Sequence, residues 1–188
     1  MAHHVCPVWV GHLLASPLRK LRHDPRRILS PWVAPGMTAL DVGPAMGFFS
    51  LPLAERVGPR GRVVCVDVQQ AMLDRLENRA RKAGVLDRIE TRRCGPDSLG
   101  IGDLAGGVDF ALLFAVVHEA ENRDRLFREV RDALKPDGRA LLAEPKGHVS
   151  AAAFAETLDA ARAAGLVEIE APRIAASRAA VLASGPAS

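Results

Sequence analysis

Residues 40–49 read Leu40-Asp41-Val42-Gly43-Pro44-Ala45-Met46-Gly47-Phe48-Phe49, and a second apolar run, Val63-Val64-Cys65-Val66, ends at Asp67. In the first passage a short buried strand ends in an acid and a glycine, and a helix is expected to open at the second glycine. Gly43 allows a sharp turn and has no Cβ to block a ligand. Gly47 lets the following helix come close. The helix N-terminus then offers unpaired N–H groups and the positive end of a dipole, a suitable seat for a phosphate or a carboxylate. The spacing is Gly-x-x-x-Gly, not the Gly-x-Gly-x-x-Gly of dinucleotide-binding turns, and Ala45 stands where the middle glycine would be. Asp67 follows Gly47 by 20 residues. An acid at that point can accept both hydroxyls of an adenosine ribose. The competing role is that of an N-cap for the next helix.

Outward from this turn, strands alternate with helical segments. Strands are expected at Thr38 to Val42, Arg62 to Asp67, Ile89 to Arg93, Val108 to Val116 and Arg139 to Glu144. Helices are expected at Phe48 to Val57, Gln70 to Ala83, Asn122 to Leu134 and, capped by Ser150, up to Ala164. Gln70 to Ala83 is amphipathic: Met72, Leu73 and Leu76 face in, while Arg75, Glu77, Arg79 and Lys82 face out. Such alternation predicts parallel strands joined by crossover helices. The last two strands, Val167 to Ala171 and Ser177 to Leu182, are separated by only about five residues and no helix. So short a link suits an antiparallel hairpin. Residues 1–35 are expected to form a separate arm of two short helices, Pro7 to Ala15 and a second one capped at Asp24-Pro25 and reaching about Val33.

The 188 residues suit one globular domain, with 48% hydrophobic and 25% charged residues. Aromatics make up 4% and tyrosine is absent, so the core must be aliphatic. The net charge of +3 is unevenly placed. Arg19, Lys20, Arg22, Arg26 and Arg27 face a single acid, Asp24, in the arm, which carries about +4, while the rest carries about −1. That remainder lacks the charge excess of a nucleic-acid binder. The basic arm suits an anionic substrate, a membrane surface or nucleic acid, or is simply a solvated helix face. Cys6, Cys65 and Cys94 show no paired spacing, which argues against a disulfide framework and fits a reducing, cytoplasmic compartment. No apolar run approaches a membrane span of roughly 20 residues, and the apolar stretch from Val5 lacks the basic start of a signal peptide.

Leu40 to Asp67 resembles the first two motifs of class I S-adenosylmethionine (SAM)-dependent methyltransferases. The similarity continues through Val108-Asp109-Phe110 into Phe114 and through Leu134-Lys135-Pro136-Asp137-Gly138-Arg139. It covers residues from about 36 to 182 and is strongest toward the small-molecule branch, with its ubiquinone/menaquinone-type and arsenite-type enzymes. The resemblance implies a Rossmann-like three-layer α/β/α sandwich. Its seven-stranded sheet would be mostly parallel, with one antiparallel strand near the C-terminus. It implies residues 36–188 as the SAM-binding domain and residues 1–35 as a lid over the active site. By the same resemblance Asp41, Gly43 and Gly47 line the methionine part of SAM, Asp67 holds the ribose, and the Phe114 backbone lies near the sulfonium. Pro44, Val68, Asp97 and Ser98 complete the cofactor-binding set. Two departures stand out. Ala45 replaces a usual glycine, and Asp97, the candidate for the adenine amino group, is displaced by one position from the family's acid.

Methyl transfer is an in-line displacement that needs a nucleophile held in position and, for some acceptors, a base. Sites in such sheets lie at the carboxyl ends of the strands. Those ends supply Cys94, His118, Glu119, Glu144, Lys146 and His148. His118, Glu119 and His148 are the catalytic candidates, with His118 as a base; a surface or capping histidine is the competing reading. His3, His4 and Cys6 could form a soft metal or metalloid site with Cys94 or His118, against a simple frayed terminus, and no metal is assigned. Ala115-Val116-Val117-His118 stands where nucleic-acid amino-methyltransferases carry Asn/Asp-Pro-Pro-Tyr/Phe. The expected activity is therefore methylation of a small-molecule thiol, metalloid, amine or quinol. A non-catalytic SAM-binding or membrane-surface regulatory module and an NAD-dependent oxidoreductase are the alternatives. A homodimer is left open.

Overall fold

The computed structural model describes residues 23–185. They fall into two compact units divided between Cys94 and Gly95.

The first unit contains α1 (Pro25–Leu29), β1 (Thr38–Val42), α2 (Ser50–Val57), β2 (Arg62–Asp67), α3 (Gln70–Ala83) and β3 (Ile89–Arg93). The strands pair in parallel, with Asp41 opposite Cys65 and Asp67 opposite Arg93. Both β1 and β2 are buried from their second residue onward. That burial matches their largely apolar sequence, since a parallel strand is covered on both faces. On α3 the buried residues are Met72, Leu73, Leu76 and Ala80, the apolar face read from the periodicity. Asp24 caps α1 by accepting from Arg26 N–H at 3.0 Å, and Leu29 and Val33 are buried. Arg56 of α2 ties this segment down by donating to the Val33 and Ser30 carbonyls. The helix expected at Pro7 to Ala15 lies outside the described residues.

The second unit contains β4 (Val108–Phe114), α4 (Arg123–Ala133), β5 (Leu134–Pro145), α5 (Ala151–Ala163), β6 (Leu166–Glu170) and β7 (Ser177–Ser184). β4 and β5 are parallel, and β7 runs antiparallel to both β5 and β6. The strand order is β3-β2-β1-β4-β5-β7-β6. This is the Rossmann-like seven-stranded sheet expected, mostly parallel with one reversed strand, β7. The core is aliphatic, with Phe110 and Phe127 its largest fully buried side chains.

Two starts differ from the sequence reading. Helix α2 begins at Ser50 rather than Phe48, because Gly47 takes φ +81° and residues 45–49 form a turn first. Strand β5 begins at Leu134 rather than Arg139. Leu134 already pairs with Val108, and an irregularity between Val108 and Phe110 absorbs the offset. Gly138 permits this close approach: a Cβ there would lie 2.8 Å from the Val108 carbonyl oxygen. Helix α1 also ends early, at Leu29 rather than about Val33; the other expected boundaries within the described residues hold to within about two residues.

Candidate functional site: a nucleotide turn and a histidine–glutamate pair

The turn after β1 is built from alternating left-handed residues: Gly43 at φ +67°, Ala45 at +48° and Gly47 at +81°. Ala45 is thus a non-glycine residue in a region costly for a side chain. Gly47 N–H closes the turn on the Pro44 carbonyl at 2.9 Å, and three further bonds tie it to β2, Asp67 and α3. Gly43 N–H donates to the Val66 carbonyl at 2.9 Å. Ala45 N–H donates to Asp67 Oδ2 at 3.3 Å. The Arg79 guanidinium of α3 donates to the Met46 carbonyl. Pro44, Met46, Phe48 and Phe49 are buried beneath it, the two rings edge to face at 5.1 Å. A Cβ on Gly47 would come within 2.7 Å of Leu51 Cδ1 and 3.0 Å of Leu76 Cγ. The close helix approach read from the sequence is therefore real, and it comes from both α2 and α3.

Asp67 joins the turn to α3. Its Oδ1 accepts Gln69 N–H at 2.9 Å while Oδ2 accepts Ala45 N–H. Asp67 is not the N-cap of α3, a place taken by Gln69; it fastens the backbone just before the helix and also bonds to the glycine turn. A carboxylate has about four lone-pair sites, so each oxygen keeps capacity for a further donor. Burial raises the Asp67 pKa, against the lowering effect of its backbone bonds. Val68, next in the chain, is 38% exposed, unusual for a large apolar side chain after a buried strand.

Asp41 is buried and accepts Ser50 Oγ at 2.6 Å. Burial pushes its pKa up to about 7, Ser50 lowers it and the charge of Asp67 adds to the rise. Cys65 lies beside it in β2, fully buried, its thiol held well above the ordinary range by burial and by Asp41. Ser50 was not singled out from the sequence, and Arg79, expected to face out, is half-buried and turns onto the Met46 carbonyl. A buried acid in Asp41 signals the need for a donor such as Ser50, whereas a basic residue on an exposed helix face gives no such signal for Arg79.

In the second unit, β4 ends at the buried Phe114, and Ala115 takes φ +58°. A short 3-10 turn, Val117–Glu119, follows. Glu144, near the end of β5, is completely buried. Its Oε1 accepts Val117 N–H at 2.8 Å and His118 N–H at 3.3 Å, and its Oε2 lies 2.5 Å from His118 Nδ1. The Glu144 bond raises the His118 pKa, with burial acting against it and Glu119 adding to it. Glu119 Oε1 lies 3.9 Å from His118 Nε2. The His148 ring lies near-parallel to that of His118, centroids 6.2 Å apart. The three catalytic candidates thus come together. Glu144, read from the sequence only as a strand-end residue, is their anchor. The signal was there: one acid closing the apolar run Ala140 to Ala143 must find partners when buried.

Asp97 is exposed, and Ser98 accepts Gly100 N–H at 3.1 Å. Among the described residues no group of three or more His, Cys, Asp or Glu is arranged to hold a metal ion. His3, His4 and Cys6 lie outside the described residues. No described helix is long and apolar enough to cross a membrane.

Residues 39–138 match the family described as Methyltransferase domain. Among curated proteins the chain is 30% identical over 112 residues to the arsenite methyltransferase of Halobacterium salinarum, covering 60% of this chain and 28% of that protein. It is 28% identical over 116 residues to the ubiquinone/menaquinone biosynthesis C-methyltransferase of Idiomarina loihiensis, covering 62% and 45%. The chain thus spans less than half the length of these two relatives. A SAM-dependent methyltransferase from Aquifex aeolicus has the same fold, with a TM-score of 0.83 at 21% identity, covering 95% of this chain and 97% of that one. The fold and site define a nucleotide-binding α/β protein. The chain belongs to the methyltransferase-domain family, and that membership with its fold implies SAM as the cofactor. The residues fit such a group: Asp67 lies beside the glycine turn with acceptor capacity left on both oxygens, and Val68 offers an exposed apolar surface.

Proposed function

We propose that this chain transfers a methyl group from SAM to a small-molecule acceptor, of thiol, metalloid, amine or quinol type. The observation that carries the reading is the double engagement of Asp67 with the glycine turn and with Gln69. It fixes a carboxylate beside the glycine turn and leaves each of its oxygens able to accept a ribose hydroxyl. In this reading Asp41, Gly43, Pro44 and Gly47 line the methionine part, Asp67 and Val68 take the adenosine, Asp97 and Ser98 serve the adenine, and the Phe114 backbone lies near the sulfonium. Bound SAM supplies a methyl group made electrophilic by its sulfonium. His118, Glu119 and His148 serve the acceptor. Residues 1–35 act as a lid, and the protein works in a reducing cytoplasm, as its cysteine usage suggests.

Calorimetric titration with SAM, S-adenosylhomocysteine and NAD tests the cofactor. The expected result is binding of the first two and none of NAD; NAD binding without SAM binding overturns the reading. Turnover on a panel of thiols, arsenite, amines, quinols and phenols tests the reaction. SAM binding with no turnover on any of them favours a non-catalytic SAM-binding module.

A further inference from the structure

Glu144 is completely buried, and its partners define the state of His118. Two backbone N–H groups, from Val117 and His118, converge on Oε1. A carboxylate so engaged accepts on Oε2 as well, and the donor there is His118 Nδ1 at 2.5 Å. The proton of the neutral imidazole therefore sits on Nδ1 and the lone pair on Nε2. Nε2 lies 3.9 Å from Glu119 Oε1, beyond hydrogen-bond reach, and the His118 side chain keeps 25% of its surface exposed. An acid that fixes a histidine tautomer and stabilises its protonated form is the arrangement of a general base.

We propose that His118 is a general base positioned by Glu144, and that the methyl acceptor is a weakly acidic hydroxyl compound, a phenol or an enol, rather than a thiol or arsenite. The inference rests on the methyltransferase reading above and narrows it. Thiolates and arsenite are strong nucleophiles at neutral pH and gain little from a base; a phenolic hydroxyl, with a pKa near 10 as in tyrosine, gains much. The hydroxyl O–H bond breaks as its proton passes to His118 Nε2. The oxygen electron pair forms the new O–CH3 bond, and the pair of the breaking C–S bond stays on the departing thioether sulfur. Glu144 balances the positive charge left on the imidazole, and the proton then leaves to solvent. The charged and titratable groups facing that imidazole are Glu144 from β5, Glu119 from its own turn, Arg123 from α4 and His148 from the segment after β5.

Nitrogen-15 NMR of the unaltered protein reads the tautomer directly, with His118→Asn identifying the signal. The expected result is a neutral His118 protonated on Nδ1 that titrates above the ordinary 6.5. A neutral form protonated on Nε2 overturns the proposal without any altered protein having to fold. On phenol or enol acceptors kcat/KM is expected to rise with pH through the same ionisation. Glu144→Gln is expected to move that limb to lower pH and reduce kcat by about 10–100-fold with little change in KM, and His118→Ala to lower kcat by about 100-fold or more. Full activity of His118→Ala on a hydroxyl acceptor overturns the proposal. SAM binding with turnover confined to thiols or arsenite removes the acceptor class alone. Absence of SAM binding removes the methyltransferase reading and this narrowing with it.

Discussion

Ala45 and Asp67 show how two residues share the work of one turn. Ala45 holds φ +48°, where an L side chain costs about 1–2 kcal/mol, and its N–H is the one that reaches Asp67. Ala45→Gly relieves that cost and loosens the unfolded chain in return. The expected net is a gain of about 0.5 kcal/mol, read as a higher urea midpoint with an unchanged slope. Asp67→Ala strips two backbone donors of their acceptor and removes the proposed ribose contact. It is expected to cost about 2–3 kcal/mol of SAM affinity, measured by calorimetry on protein whose circular dichroism is unchanged. Equal affinity for SAM in the variant leaves Asp67 with only its structural bonds.

Where elements meet, Gly47 is the critical position. Gly47→Ala adds a methyl 2.7 Å from Leu51 Cδ1 in α2 and 3.0 Å from Leu76 Cγ in α3, at φ +81°. Overpacking and backbone strain together are expected to cost about 3 kcal/mol, read by chemical denaturation. Most elements were legible before any coordinates. The limits of β1 and β2 follow from short apolar runs bounded by glycine, proline or charge, those of α3 from its amphipathic period and Gly84, and Asp24, Asn122 and Ser150 cap the helices they precede. What escaped was non-local. Phe48 and Phe49 have helix-compatible side chains, yet the turn imposed by Gly47 delays α2 to Ser50. Pro136-Asp137-Gly138 reads as a break, yet pairing of Leu134 with Val108 draws it into β5. The same holds at the site. Asp41, Gly43, Gly47 and Asp67 declare themselves by spacing, while Glu144 shows only as an acid closing an apolar run, with nothing local to mark His118, 26 residues away, as its partner.

Across the whole molecule the buried ionisable groups give stability a common direction with pH. Asp41 ionises near 3.8 when unfolded and at about 7 when folded. Its contribution is full below about 4 and is lost as pH rises through 7, on the order of a few kcal/mol. His118, raised above 6.5 by Glu144, contributes in the same sense: fully below 6.5, and lost as pH passes its folded value. Denaturation midpoints are therefore expected to fall between pH 5 and 8. Asp41→Asn should flatten the part below 7, and an unchanged slope in that variant counts against Asp41 as its source. The strand order β5-β7-β6 has another kind of consequence. Space and synthesis run in different orders here. As the chain leaves the ribosome, β6 emerges before β7, yet β7 is the neighbour against which β6 lies. Until residues 177–184 have cleared the exit tunnel, β6 has no sheet to join, and β5 keeps one edge open. The nascent chain must carry that unpaired apolar edge until β7 emerges, the interval in which a chaperone would find most to hold.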